Sequence, residues 1–112
     1  MAGLDRKRIR KEFRAAVNMT ADELEHWLET EESRRVGFRR KGAVESIGHA
    51  SGRRIVDILK TPEAEWSEAD YAHLRKVVGY VHRHRAQRPE NVYTSRWRYS
   101  LMNWGHDPVR DA

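Results

Sequence analysis

The chain has 112 residues, 38% hydrophobic and 35% charged, and its 22 Lys and Arg against 17 Asp and Glu give a formal net charge of +5. That length fits one domain with a lean core. The lack of cysteine excludes a disulfide framework and a thiolate metal site, and no run approaches the roughly 18 apolar residues of a membrane span. The opening MAGLDRKRIRKEFRAAV has no apolar stretch of the kind a secretory signal needs, so a cytoplasmic protein is expected.

The first predicted element runs from Leu4 to Val17. Ile9, Phe13, Ala16 and Val17 fall on one helical face and Lys and Arg on the other, which suits either a docked helix or a basic arm that orders on binding. The next, MTADELEHWLETEES, has a capping box in Thr20 and Glu23, a staple of Met19 onto Leu24, and a buried stripe of Leu24, Trp27 and Leu28. The segment from Ser33 to Glu45 has glycines and no sustained period, and reads as a flexible basic loop. A third helix is predicted from Ser46 to Lys60, with Ile47, Ile55, Ile58 and Leu59 inward, Gly48 and Gly52 one turn apart, and Pro62 beyond its end.

Ser67 and Asp70 cap a fourth helix that should reach about Gln87, with Trp66 stapled to Tyr71 and a buried side of Tyr71, Leu74, Val77, Val78 and Val81. Thr94 or Ser95 caps a last helix ending at Asn103, with Gly105 past its end. Trp97, Leu101 and Trp104 share one face there, the spacing of core rings rather than of a stacking platform. No strand signal appears. The fold class expected is all-α, a single helical domain over residues 18–112 preceded by the basic helix or arm of residues 1–17, about five helices in all.

Charge is arranged in blocks. Residues 1–17 carry +4, residues 18–33 carry −6, residues 34–41 carry +5 and residues 42–112 carry +2. A pI of about 9.9 is the electrostatic footprint of a nucleic-acid binder. In RRVGFRRK, five cations without an acid suit a polyanion, and Phe38 among them suits stacking on a base. SIGHASGRR admits two readings: a phosphate site at a helix start, with Ser46 and Ser51, Arg53 and Arg54, or a capped helix packed through its glycines.

No catalytic signature is present. The six histidines have no zinc-ligand spacing, although a non-local trio such as His49, His73 and His106 stays open. Glu31/Glu32 and Glu63/Glu65 lie in solvated acidic segments with nothing apolar nearby to raise a pKa. An enzyme is not expected, nor is any cofactor, metal or small-molecule substrate.

Three segments, SIGHASGRRIVDIL, DYAHLRKVVGYVHRHRAQRP and RWRYSLMNWGHDP, resemble the bacterial and fungal domain-of-unknown-function 3140 family, over roughly Asn18 to Val109. The resemblance implies a small intracellular protein of a family without an established activity, often labelled DNA-binding, and it carries over no catalytic residue.

The expected function is DNA binding, mainly to phosphates, with RNA as the other candidate partner. The contacts expected are Arg39, Arg40 and Lys41 in the loop, Arg53 and Arg54 after it, Arg6, Lys7, Arg8, Arg10 and Lys11 as an auxiliary arm, and Arg96 and Arg98. Base readout by a helix-turn-helix is not expected, because no two predicted helices are joined by about three or four residues. The alternative is a protein-interaction module, or a homodimer that pairs the acidic block of one copy with the basic block of another.

Overall fold

A computed structural model describes residues 5–110, and the predicted helix start at Leu4 lies outside them. The described residues form six α-helices and no strand: α1 (Arg6–Ala16), α2 (Ala21–Leu28), α3 (Glu31–Arg35), α4 (Ile47–Lys60), α5 (Glu68–Arg85) and α6 (Arg96–Asn103), with a 3₁₀ turn at Glu63–Glu65 between α4 and α5. The helix starts follow from side chains that satisfy free N–H groups. Asp5, Thr20, Thr30, Ser46, Ser67 and Ser95 each accept from a backbone N–H three residues on, and Thr20/Glu23 and Ser67/Asp70 close full capping boxes.

Two helix pairs make the body: α1 lies on α5 and α2 on α4, while α6 touches α2, α3, α4 and α5. The N-terminal helix is therefore docked, and Ile9, Phe13 and Ala16 belong to the same core as Leu24, Ile55, Leu74, Val77 and Leu101. Phe13 meets Trp66 edge-on at 6.1 Å, and Trp66 meets Tyr71 at 5.8 Å. The indole N–H of Trp66 is satisfied by the carbonyls of Ile58 and Thr61, where α4 ends, so this large ring is buried without leaving a donor unpaired.

The segment after α2 departs from expectation. Its first residues are helical, since Thr30 caps α3 through the N–H of Ser33. Five residues show no period, which is why the pattern reads as loop. The loop proper is residues 36–46. It is anchored by Val36, 2% exposed, and closed by a hydrogen bond from the N–H of Ile47 to the carbonyl of Phe38 at 2.9 Å. Gly37 and Gly42 turn it with φ of +94° and +82°, a region open to glycine and costly to other residues.

Asn103, 1% exposed, joins three elements. Its Oδ1 accepts from the indole of Trp27 on α2 at 2.8 Å and from the hydroxyl of Ser33 on α3, and its Nδ2 donates to the Ser33 carbonyl at 3.0 Å. Against it lies Gly52 of α4, where an added Cβ would come within 2.5 Å of the Asn103 carbonyl oxygen and 2.7 Å of Leu28 Cδ2. In the SIGHASGRR segment the glycines thus serve packing. Ser46 is the buried cap of α4, and Ser51 is buried and paired with the ring of His73.

Two substitutions test this junction by urea unfolding. Gly52→Ala is expected to lose about 1–3 kcal/mol by overpacking against backbone. Asn103→Ala should lose at least about 2 kcal/mol, because it strands the Trp27 N–H and both polar groups of Ser33. Midpoints within error of the parent would disprove the close fit.

Candidate nucleic-acid interface

The cations divide into those held by acids of the same chain and those that are not. Arg53 makes a two-pronged ion pair with Glu45, from Nε at 2.8 Å and from Nη2. Hydrogen bonds from Arg53, reinforced by His49 and opposed by partial burial, hold the Glu45 carboxyl at about 2, well below the usual 4.5. Arg54 reaches Asp70 at 3.6 Å. Arg98 grips both oxygens of Asp107 at 3.1 Å and donates to the Tyr93 carbonyl at 2.9 Å. Arg10 donates to the hydroxyl of Tyr71 at 2.9 Å and lies 3.4 Å from Glu63, Arg14 also meets Glu63, and Arg8 meets Glu12 one turn on.

The other expected contacts have no acid partner among the described residues. Arg39 donates to the Arg34 carbonyl, Arg96 makes a long contact of 3.5 Å to the Arg35 carbonyl, Arg6 sits 4.8 Å over the ring of Tyr71, and Arg40, Lys41, Lys7 and Lys11 are exposed. These fall in two places. Lys11 lines a groove between α1 and α5 with His82, Arg85 and the paired Arg8 and Glu12. The loop cations stand with Arg34 and Arg96 where the end of α3 meets the start of α6.

The structure adds residues that the sequence pattern leaves unmarked. Lys76, Tyr80 and Arg83 on α5 line one cavity of about 280 Å³ together with Phe38 of the loop, Gly48 of α4, and Ser100 and Trp104. Lys76 and Arg83 have no acid partner among the described residues, and they share this cavity with Gly37 and Phe38 of the basic loop. The spacing i, i+4, i+7 puts Lys76, Tyr80 and Arg83 on one helix face, but a basic chain offers many such triplets. Phe38 is 71% exposed, the position a stacking ring requires.

Behind the cavity the rings form a column. His73, Trp104, Tyr80, His84 and Trp97 follow one another with centroid separations of 6.4, 4.3, 5.0 and 6.3 Å and planes within 20° of parallel, and Arg88 closes the end at 5.8 Å from the Trp97 ring. Most faces of Trp97 and Trp104 are thereby occupied within the protein, as their core spacing suggests. Burial, then the charges of Arg54 and Lys76, lower His73 to about 4. Burial also lowers His84, whose Nε2 is buried with no hydrogen-bond partner among the described residues.

No three His, Asp or Glu side chains converge on a metal position among the described residues. His49 contacts Glu45 and the Leu28 carbonyl, His73 pairs with Ser51, and His106 donates to the Ala16 carbonyl. No helix of the described residues is long and apolar enough to cross a membrane.

The column predicts a pH dependence. With its folded pKa near 4 and its unfolded value near 6.5, His73 contributes stability that is complete above about pH 6.5 and is lost as pH falls to about 4. In thermal melts across that window His73→Gln should flatten the slope, leaving the share of His84. An unchanged slope would mean that the ring is not held neutral by its surroundings.

No curated protein and no solved structure is similar to the chain. A family model described as "Protein of unknown function (DUF3140)" matches residues 12–102, from within α1 to one residue short of Asn103. Covering most of the chain, that match establishes that the protein belongs to the DUF3140 family.

Proposed function

We propose that the protein binds DNA through its phosphates, using a face that runs from the loop cations Arg39, Arg40 and Lys41 past Arg34 and Arg96 to Lys76 and Arg83 on α5. The observation that carries this reading is the uneven pairing of charge. Arg8, Arg10, Arg14, Arg53, Arg54 and Arg98 each meet a carboxylate of the same chain, whereas Arg34, Arg39, Arg40, Lys41, Lys76, Arg83 and Arg96 on this face meet none among the described residues. Elsewhere Arg6, Arg75, Arg85 and Arg88 are likewise without one among the described residues, but they are not gathered with a basic loop. A phosphate brought to it displaces no internal ion pair, so the gain from counterion release is undiminished. Arg53, Arg54, Arg98 and Arg10 would have to leave carboxylates first, and their part is secondary. Lys11, beside Arg85, and Lys7 one turn before it on α1 form a separate strip suited to a second stretch of backbone.

Geometry argues against base readout by an inserted helix. α3 has five residues and is joined to α2 by Glu29 and Thr30 alone. α2, which follows α1 after the four residues 17–20, opens on Asp22 and Glu23, an acidic start that phosphates would repel and that does not suit a recognition helix. Self-association through opposite blocks has less to draw on, because Glu23, Glu25 and Glu31 already face Arg110, Lys60 and Arg35.

The test is a salt titration of binding to duplex DNA, single-stranded DNA and RNA. If about five phosphates are neutralised, the slope of log K against log salt on duplex should be about −4 to −5. Reversing Arg39, Arg40 and Lys41 to Glu should abolish binding with helicity intact, while Arg53→Ala and Arg98→Ala should change affinity less than about threefold, as expected of cations already engaged. Binding that is flat in salt, or indifferent to the loop reversal, refutes the reading.

A further inference from the structure

The cavity beneath Phe38 differs from four others over the described residues. Each of those has a carboxylate in its lining: Glu25, Glu29 and Asp57 in one, and Glu90, Glu12 and Glu45 in the others. This one has none, and it holds Lys76 and Arg83. Its volume of about 280 Å³ lies just below the roughly 300–1,000 Å³ of clefts for drug-sized ligands, which suits a single planar ring and not an extended cofactor.

Its walls are specific. Gly48 supplies the floor, where an added Cβ would come within 2.9 Å of Trp104 Nε1, so the indole N–H lies at the wall. Trp104 is 4% exposed, and its N–H, unlike those of Trp27, Trp66 and Trp97, donates to nothing among the described residues. That N–H is not among the fully buried atoms left without a partner, so it is open to the cavity, where an entering acceptor can meet it. Ser100 adds a hydroxyl. At the lip stands Phe38 with its ring in solvent, on a loop whose cations continue outward.

We infer that this cavity receives one unstacked base of a single strand, its face on Phe38, an edge carbonyl or ring nitrogen accepting from the indole of Trp104, and the flanking phosphates on Lys76 and Arg83. The inference rests on the phosphate-binding reading above and deepens it. A base inside a duplex has both faces covered and its pairing edge engaged, so it cannot enter without leaving the stack. The protein therefore prefers single strands to duplex at equal charge.

The experiment compares a short labelled oligothymidylate with an abasic strand of the same length, which keeps every phosphate and removes every base. Stacking contributes enough per base that the thymidylate should bind the parent protein at least about fivefold more tightly. Phe38→Ala, a change at an exposed position that leaves the core untouched, should shrink that ratio below about twofold while the salt slope on the abasic strand is kept. Gly48→Ala, placed against Trp104, should do the same if circular dichroism shows it folded. Equal binding of the two strands by the parent protein, or a ratio unmoved by Phe38→Ala, overturns the base pocket and leaves phosphate binding standing. Failure of both strands and of duplex to bind overturns the two together.

Discussion

The arrangement depends on one buried amide. Asn103 ends α6, and through it α2, α3 and α4 are held at fixed separations: the indole of Trp27 and the hydroxyl of Ser33 share its oxygen, Ser33 accepts from its nitrogen, and Gly52 lies against its carbonyl. An amide can do this because it presents donor and acceptor on one planar group. A leucine of similar size fills the space and leaves three buried polar groups unsatisfied. Because Ser33 precedes the basic loop by two residues, the amide also determines where the loop leaves the body. The loop's far end is held separately, by Glu45 between His49 and Arg53. A cationic loop is thus suspended between two fixed points, and its cations are turned outward.

The arginines of the described residues divide in the same way, between those that brace the fold and those that do not. Arg53, Arg54, Arg98, Arg10 and Arg14 act as struts, each matched to a carboxylate of another turn or another element. The cations of the loop and of one face of α5 have no such duty. Net charge alone does not separate the two groups, since pairing is a property of the folded molecule. The aromatic rings divide similarly. Trp66 and Phe13 fill the seam under α1, the column from His73 to Trp97 joins α5 to α6, and Phe38 on the basic loop faces solvent, as does Tyr93 beside Arg98.

The sequence carried most of the helices because their starts are local. Thr20 with Glu23, Ser46, Ser67 with Asp70, and Ser95 all act on N–H groups three residues away, and the buried side of α5 is the one its spacing dictates. α3 escaped because one turn has no period, although Thr30 before two glutamates is the chemistry of a helix start. The docking of α1 escaped for another reason: its apolar stripe suits packing or binding equally, and only the partner surface on α5 decides. The charge of the loop was plain in RRVGFRRK. Which arginines are engaged was not, since the partner of Arg10 is 61 residues away and that of Arg110 is 87 away. The cavity was invisible for the same reason, being assembled from the loop, α4, α5 and α6.

The segment after α6 returns to the beginning of the fold. The N–H of Met19 donates to the Gly105 carbonyl, His106 to the carbonyl of Ala16, Asn18 and Asp107 exchange two hydrogen bonds, and Arg110 clasps Glu23 and the Asn18 carbonyl at 2.6 Å. Residue 110 must clear the ribosome before that clasp is complete. During synthesis the apolar stripe of α1 therefore waits for most of the chain, first for α5 and then for this final stitch, and such late long-range closure is slow and leaves a sticky surface uncovered meanwhile. Nascent chains halted before α5 leave that stripe with no partner at all, and those halted near Asn103 lack only the stitch.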